Sequence, residues 1–201
     1  MKSAQFTRLA AALALAVPAL VMAESNVQTG AATASPGATA RVDFSVVIPK
    51  VLFLQIGGGT YLTSDASSIS GVVFTVPTAS LGSGTAVASV PGSVAVRVVG
   101  NNGNITLNAT TLGALGNGAG DTISFTQIRG TSDNANLAHP VAFVDGAASA
   151  NVTITPNIGT KVTDRTANWS YTYLNTAVVP PGTYGGVNVN NSRVTYTATM
   201  P

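Results

Sequence analysis

Residues 93–110 read Ser93-Val94-Ala95-Val96-Arg97-Val98-Val99-Gly100-Asn101-Asn102-Gly103-Asn104-Ile105-Thr106-Leu107-Asn108-Ala109-Thr110. Val94, Val96 and Val98 fall on every second position, and so do Ile105, Leu107 and Ala109. A period of two built from β-branched and apolar side chains is the mark of a strand with one buried face. Gly100 to Gly103 supply strong turn chemistry between the two segments. The stretch therefore predicts two strands joined as a hairpin.

The same beat recurs on both sides. Val42, Phe44, Val46 and Ile48 alternate with Arg41, Asp43, Ser45 and Val47, and Pro49 interrupts the run. Lys50 to Ile56 (KVLFLQI) is more uniformly apolar and ends at Gly57-Gly58-Gly59. Further strands are expected at Gly71–Val76, Asp121–Ile128, Val141–Val144 and Asn151–Thr155. Asn168–Asn175 places Trp169, Tyr171 and Tyr173 on one face. Ser192–Met200 places Val194, Tyr196, Ala198 and Met200 on one face and Arg193, Thr195, Thr197 and Thr199 on the other. Residues 57–70 and 111–120 read as loops. After the first two dozen residues no segment sustains a 3.6-residue period. Roughly eight to ten short strands separated by turn residues predict an all-β, antiparallel β-sandwich or barrel. Parallel pairing would need crossovers of about a dozen residues or more, which the spacing does not offer.

The chain opens with Lys2 and Arg8, an apolar run from Leu9 to Leu20, and Val21-Met22-Ala23. A positive start, a short apolar stretch and small residues before a cut after Ala23 are the layout of a secretory signal peptide. The apolar run falls short of the ~20 residues that span a bilayer, so no membrane span is expected after cleavage. Glu24, not a cysteine, follows the cut, and no cell-wall sorting motif closes the chain. Residues 24–38 have little to bury and read with Pro36-Gly37 as a flexible leader. The expected organisation is a signal peptide at 1–23, a leader at 24–40 and a single sandwich domain at 41–201. The expected location is outside the cytoplasm: periplasm, fimbrium or other cell surface, or extracellular medium.

The formal charge of the whole chain is +2, but Lys2 and Arg8 belong to the signal. Arg41, Lys50, Arg97, Arg129, Lys161, Arg165 and Arg193 are then matched one for one by Glu24, Asp43, Asp65, Asp121, Asp133, Asp145 and Asp164. That balance gives no evidence for a nucleic-acid partner, which requires a clustered basic surface, and none is expected. Charged residues make up only 8% of the chain, so Gly, Ser, Thr, Asn and Ala must carry the surface. There is no cysteine. Stability must come from burial and ladder hydrogen bonds without crosslinks.

Little of the sequence suggests chemistry. His139 is the single histidine and precedes Pro140. A zinc site built on it would need three carboxylates, and no G-x-S-x-G turn is present to hold a nucleophilic serine. It reads as a surface loop residue. Asp133, Asp145 and Asp164 lack the D-x-D-x-D spacing of a calcium loop. Gly116 to Asp121 departs from the register of calcium-binding glycine repeats, which also need stacked copies. Gly57-Gly58-Gly59 opens no helix and so is no phosphate cradle. The reading is no enzyme: no catalytic, cofactor-binding or metal-binding residues, and no cofactor. Trp169, Tyr171 and Tyr173 could stack sugars as an exposed ligand face, or fill a core; their large apolar area favours the core. The sequons at Asn104, Asn108, Asn151 and Asn168 are what an Asn- and Thr-rich chain produces by chance.

Two short stretches resemble a known family. Pro181-Gly182-Thr183-Tyr184-Gly185, followed by Val194-Thr195-Tyr196-Thr197-Ala198, is similar to the closing segment of fimbrial subunits assembled by the chaperone–usher route. Ala40 to Ile48 after its pliable leader is similar to their N-terminal donor strand. The resemblance implies an immunoglobulin-like, pilin-like sandwich that lacks one strand, the gap being filled by a neighbour's extension. It makes Val42, Phe44, Val46 and Ile48 the candidate donor-strand residues. It also implies self-association or other pilus-like subunits, and a periplasmic chaperone, as partners. The absence of a disulfide and the Met200-Pro201 ending depart from the family pattern. The same four residues could instead be the first strand of a self-contained sandwich, pairing in cis. The expected function is an exported, non-catalytic structural subunit of a fimbria-like or other cell-surface assembly, with a role in adhesion. The alternative is a secreted carbohydrate- or surface-binding module. A hydrolase using the scattered carboxylates ranks behind both.

Overall fold

The computed structural model describes residues 24–32, 37–58 and 69–201. The expected signal peptide lies outside them. The chain divides into two units between Ile48 and Pro49. The folded unit therefore starts at Pro49 and not at Arg41, where the alternation begins. Residues 37–51 belong to no strand.

Among the described residues the second unit holds ten strands: β1 (Leu52–Ile56), β2 (Val87–Ala88), β3 (Val94–Gly100), β4 (Ile105–Thr111), β5 (Leu115–Gly116), β6 (Thr122–Ile123), β7 (Ile128–Ser132), β8 (Val152–Ile154), β9 (Thr163–Tyr173) and β10 (Val194–Thr199). All their pairings are antiparallel. The only helical pieces among the described residues are single 3₁₀ turns at Thr78–Ser80, Phe125–Gln127 and Ala135–Leu137. The fold is all-β, as the two-residue period requires.

The larger sheet is organised by β9. Its first half pairs with β3, which pairs in turn with β1. Its second half pairs with β2 and β7. Trp169 is opposite both Val94 and Ser132, and Tyr173 opposite both Val87 and Ile128. β2 and β3 thus share one side of β9, and β7 runs along the other. The smaller sheet has the order β10-β4-β8. A separate two-stranded ribbon joins β5 and β6.

The two sheets share one core in a sandwich-like arrangement. β3 contributes Val94, Val96 and Val98, and β4 contributes Ile105, Leu107 and Ala109. β9 adds Ala167, Trp169 and Tyr171, and Phe125, Leu137, Phe143 and Ile154 fill the remainder. Alternate residues of each strand reach this core and the rest face outward, as the pleat dictates.

The expected hairpin at Gly100–Gly103 is not one. β3 and β4 lie in different sheets, and the turn carries the chain across the core. Both strands aim their apolar sets inward, so Val98 and Ile105 meet as fully buried neighbours of one cluster. Gly100 permits the close approach: a Cβ there would lie 2.9 Å from Ile105 Cδ1 and 3.1 Å from Met200 Sδ. The Gly103 amide, at φ +100°, donates to the Lys161 carbonyl at 2.9 Å. Other expectations also shift. Gly71–Val76 contributes one bridge, Val73 to Val90, and Val141–Val144 forms no strand. Residues 111–120 are not all loop, since Leu115 and Gly116 form β5. Ser192–Met200 follows its pattern: Thr195, Thr197 and Thr199 are exposed and Val194, Tyr196 and Ala198 turn toward the core.

Candidate functional site

The first candidate is the segment that carries the most regular alternation. Val42, Phe44, Val46 and Ile48 are 72%, 91%, 83% and 76% exposed. They were expected to bury one face of a strand; instead the segment is unpaired and its apolar side chains are in water. The physical reason is that alternation specifies a face, not a partner, and a lone strand has nothing to bury its face against. Within this first unit, the Arg41 guanidinium donates to both carboxylate oxygens of Glu24, with its closest contact at 2.7 Å. That pair holds the Glu24 carboxyl below its ordinary range. Both groups are too exposed for it to contribute much.

In the second unit, the lateral strands carry unfinished apolar faces. The inward residues of β3 and β4 are buried, whereas Leu54 and Ile56 of β1 and Val194, Tyr196 and Ala198 of β10 are only partly covered. Among the described strands, β10 is paired with β4 and β1 with β3.

Trp169, Tyr171 and Tyr173 form no ligand face. Their exposures are 0%, 7% and 6%, and the Trp169 indole donates to the Leu137 carbonyl at 3.1 Å. The row lies on the inward side of β9, where its area closes the core.

His139 is not a surface residue either. It is 3% exposed, and four aromatic rings surround it. Burial pushes its pKa down to about 4, outweighing an upward pull from the Pro140 carbonyl. Its one strong partner is the Tyr196 hydroxyl, 2.8 Å from Nε2. Burial raises the Tyr196 and Tyr171 phenols well above their usual value. Among the described residues no serine or carboxylate is hydrogen-bonded to the ring, as a nucleophilic triad would require.

Asp133, Asp145 and Asp164 are engaged in hydrogen bonds within the fold. Asp133 accepts from the Asn168 amide at 2.8 Å and its side chain at 2.9 Å, and these bonds hold its pKa below the ordinary range. Asp145 accepts from the Phe125 amide at 2.7 Å, and Asp164 takes both forks of Arg97. Among the described residues no three histidine or acidic side chains converge as metal ligands would.

On the outer face of the larger sheet, Gln55, Arg97, Asp133, Asn134, Thr166 and Asn168 border an open groove of about 640 Å³. Its lining mixes those polar side chains with Ala95, Val96 and Ala167.

Sequence reasoning missed Asn175. It is fully buried at φ +53°, a conformation asparagine tolerates better than most residues. Its side chain accepts from the Gly82 amide at 2.9 Å and donates to the Ser80 carbonyl, and its own carbonyl accepts from Gly84 at 2.8 Å. One side chain thereby closes the 80–85 loop. The only local signal is an asparagine directly after an aromatic strand, which reads equally well as a turn.

Comparison with protein-family models, with curated proteins and with solved structures finds no match.

Proposed function

We propose that the chain is an exported, non-catalytic structural subunit of a fimbria-like or other cell-surface assembly, in which residues 41–48 of one copy add as a strand to the next. One observation carries the reading: Val42, Phe44, Val46 and Ile48 alternate along an extended segment and are all exposed. Each such side chain gains about 1.5–3 kcal/mol when it moves from water into an apolar pocket. An extended segment of this kind also brings unpaired backbone groups that a sheet edge can satisfy. The partly covered inward faces of β1 and β10 supply an edge of the right chemistry. In this reading the domain is an immunoglobulin-like, pilin-like sandwich completed in trans. Its partners are other copies or related pilus-like subunits, with a periplasmic chaperone shielding the edge beforehand.

The test is the oligomeric state of the mature chain. Light scattering should find oligomers that persist in mild denaturant, and Phe44→Asp should reduce them to monomer without changing the far-UV spectrum. A chain starting at Pro49 should bind a peptide of residues 40–48. A mature chain that stays monomeric at high concentration and ignores the peptide defeats the reading.

A second reading, a carbohydrate- or surface-binding module, would use the outer groove bordered by Arg97, Asn134 and Asn168, the aromatic row being buried. Glycan-array binding lost in Asn168→Ala would support it.

A further inference from the structure

His139 sits where β7, β9 and β10 meet. Phe143, Trp169, Tyr171 and Tyr196 approach its ring edge-on, with centroids 5.2, 4.8, 5.4 and 5.6 Å away. From β7 the neighbour is Gly130, where a Cβ would overlap the imidazole. Nε2 is 2.8 Å from the Tyr196 hydroxyl, which is 3.0 Å from the Tyr171 hydroxyl. Nδ1 is buried with no hydrogen-bond partner.

Among the described residues, the titratable groups in contact with this ring are Tyr171 from β9 and Tyr196 from β10. The charged residues of the same elements are committed elsewhere or lie at outward register positions. Arg129 is opposite Thr172 on the outer face of the larger sheet. Asp164 holds Arg97, and Arg165 Nε donates to the Thr155 carbonyl. Asp133, just after β7, is bound to Asn168. Arg193, just before β10, precedes the inward Val194 and so falls on the outward side.

A neutral imidazole fits this enclosure. The hydroxyl chain can run from Tyr171 through Tyr196 to Nε2, each oxygen both donating and accepting. A charged imidazolium does not. Both ring nitrogens would then donate, so the Tyr196 oxygen would have to accept and the chain would reverse. Nδ1 makes no hydrogen bond in this geometry, the Pro140 carbonyl offsets the burial only in part, and a cation would stand in an aromatic enclosure without a counter-charge. Relief requires water to reach the ring, so one wall must move. β9 is paired along both sides and Gly130 belongs to a strand paired with it. Among the described residues β10 is paired with β4 alone, and its inward residues are only partly covered. It also carries the Tyr196 hydroxyl, the ring's hydrogen-bond partner, so the loss of that bond falls on this wall.

We propose that His139 is an acid-sensed latch on the C-terminal strand: when its ring takes up a proton, Tyr196 lets go and β10 separates from β4 while the larger sheet stays folded. The inference does not depend on the assembly proposed above.

Amide hydrogen exchange on the whole protein, corrected for intrinsic rates, tests it between pH 7 and pH 4. Amides of residues 194–199 should lose at least tenfold in protection relative to those of β3 and β9. Trp169, the sole tryptophan, is 4.8 Å from the His139 ring and should report the same transition by fluorescence. In His139→Phe the ratio of protection should not change with pH. Loss of protection in β10 that merely parallels β3 and β9 in the wild-type protein overturns the latch. So does an undiminished acid step in His139→Phe. The wild-type comparison decides the matter even if that variant does not fold.

Discussion

Gly130 and His139 are a mutually dependent pair: the missing side chain of the one is the space occupied by the ring of the other. Gly130 is buried on β7 opposite Tyr171, in the middle of a strand pairing. A glycine there is unfavourable for strand stability, and it is retained in the structure because any Cβ would displace the imidazole. Gly130→Ala should therefore destabilise by about 1–3 kcal/mol, the usual cost of overpacking a filled core. Urea denaturation measures it. Combining it with His139→Ala should recover part of the loss, because the ring that clashes has been removed.

Stability should fall in mild acid through His139. Unfolded, the ring takes its proton near 6.5; folded, only near 4. Between those values the unfolded state binds more protons, so stability declines as pH falls. It is complete above about pH 6.5, and the loss approaches roughly 3 kcal/mol by pH 4 if the native state stays closed. Opening of β10 would let the native ensemble charge as well, and would make the loss smaller. The urea midpoint of the wild type should fall relative to that of His139→Phe as pH drops from 7 through 5 to 4. Parallel midpoints across that range would contradict the buried neutral ring.

Thr163 offers a change in the opposite direction. It is fully buried on β9 opposite Gly100, and its hydroxyl has no hydrogen-bond partner. Thr163→Val replaces an orphaned hydroxyl with a methyl group of the same shape. The expected result is a gain of up to about 1 kcal/mol, since an unmet buried hydroxyl costs about that or more. A thermal melt decides the sign.

Asn175→Ala should cost about 2–4 kcal/mol. It strands the Gly82 amide and the Ser80 carbonyl and places a residue with a Cβ but no compensating side-chain bond at positive φ. Asn175→Asp keeps the acceptor for Gly82 but loses the donor to Ser80, so it should fall between wild type and alanine. Proteolysis within residues 80–85 should accelerate in the same order.

The strands with the clearest alternation, β3, β4 and β10, were legible because their burial repeats every second residue. Their pairing was not. Gly100 to Gly103 carries the same residue types whether the chain turns back within a sheet or crosses to the facing one. The choice was made by Ile105 and Met200 packing over Gly100, a contact between residues far apart in sequence. His139 was misread for a related reason: a single histidine before a proline gives no local sign of the four rings that enclose it. The beginning of β9 was also invisible, because Thr163 to Ala167 is too polar to announce a strand and is held in place by β3. Residues 41–48 show the reverse failure. Their pattern is the most regular in the chain, yet pattern alone cannot say which molecule supplies the other half of the sheet.

The position of β10 has a consequence for the order of events during synthesis. Its partner strand, β4, is made some ninety residues earlier, and Lys50 and Asn102 both reach the carbonyl of Pro201. A nascent chain therefore carries one whole side of its smaller sheet uncovered until residues 194–199 arrive. Throughout that interval the half-made domain would be open to a protecting protein and to its own siblings alike.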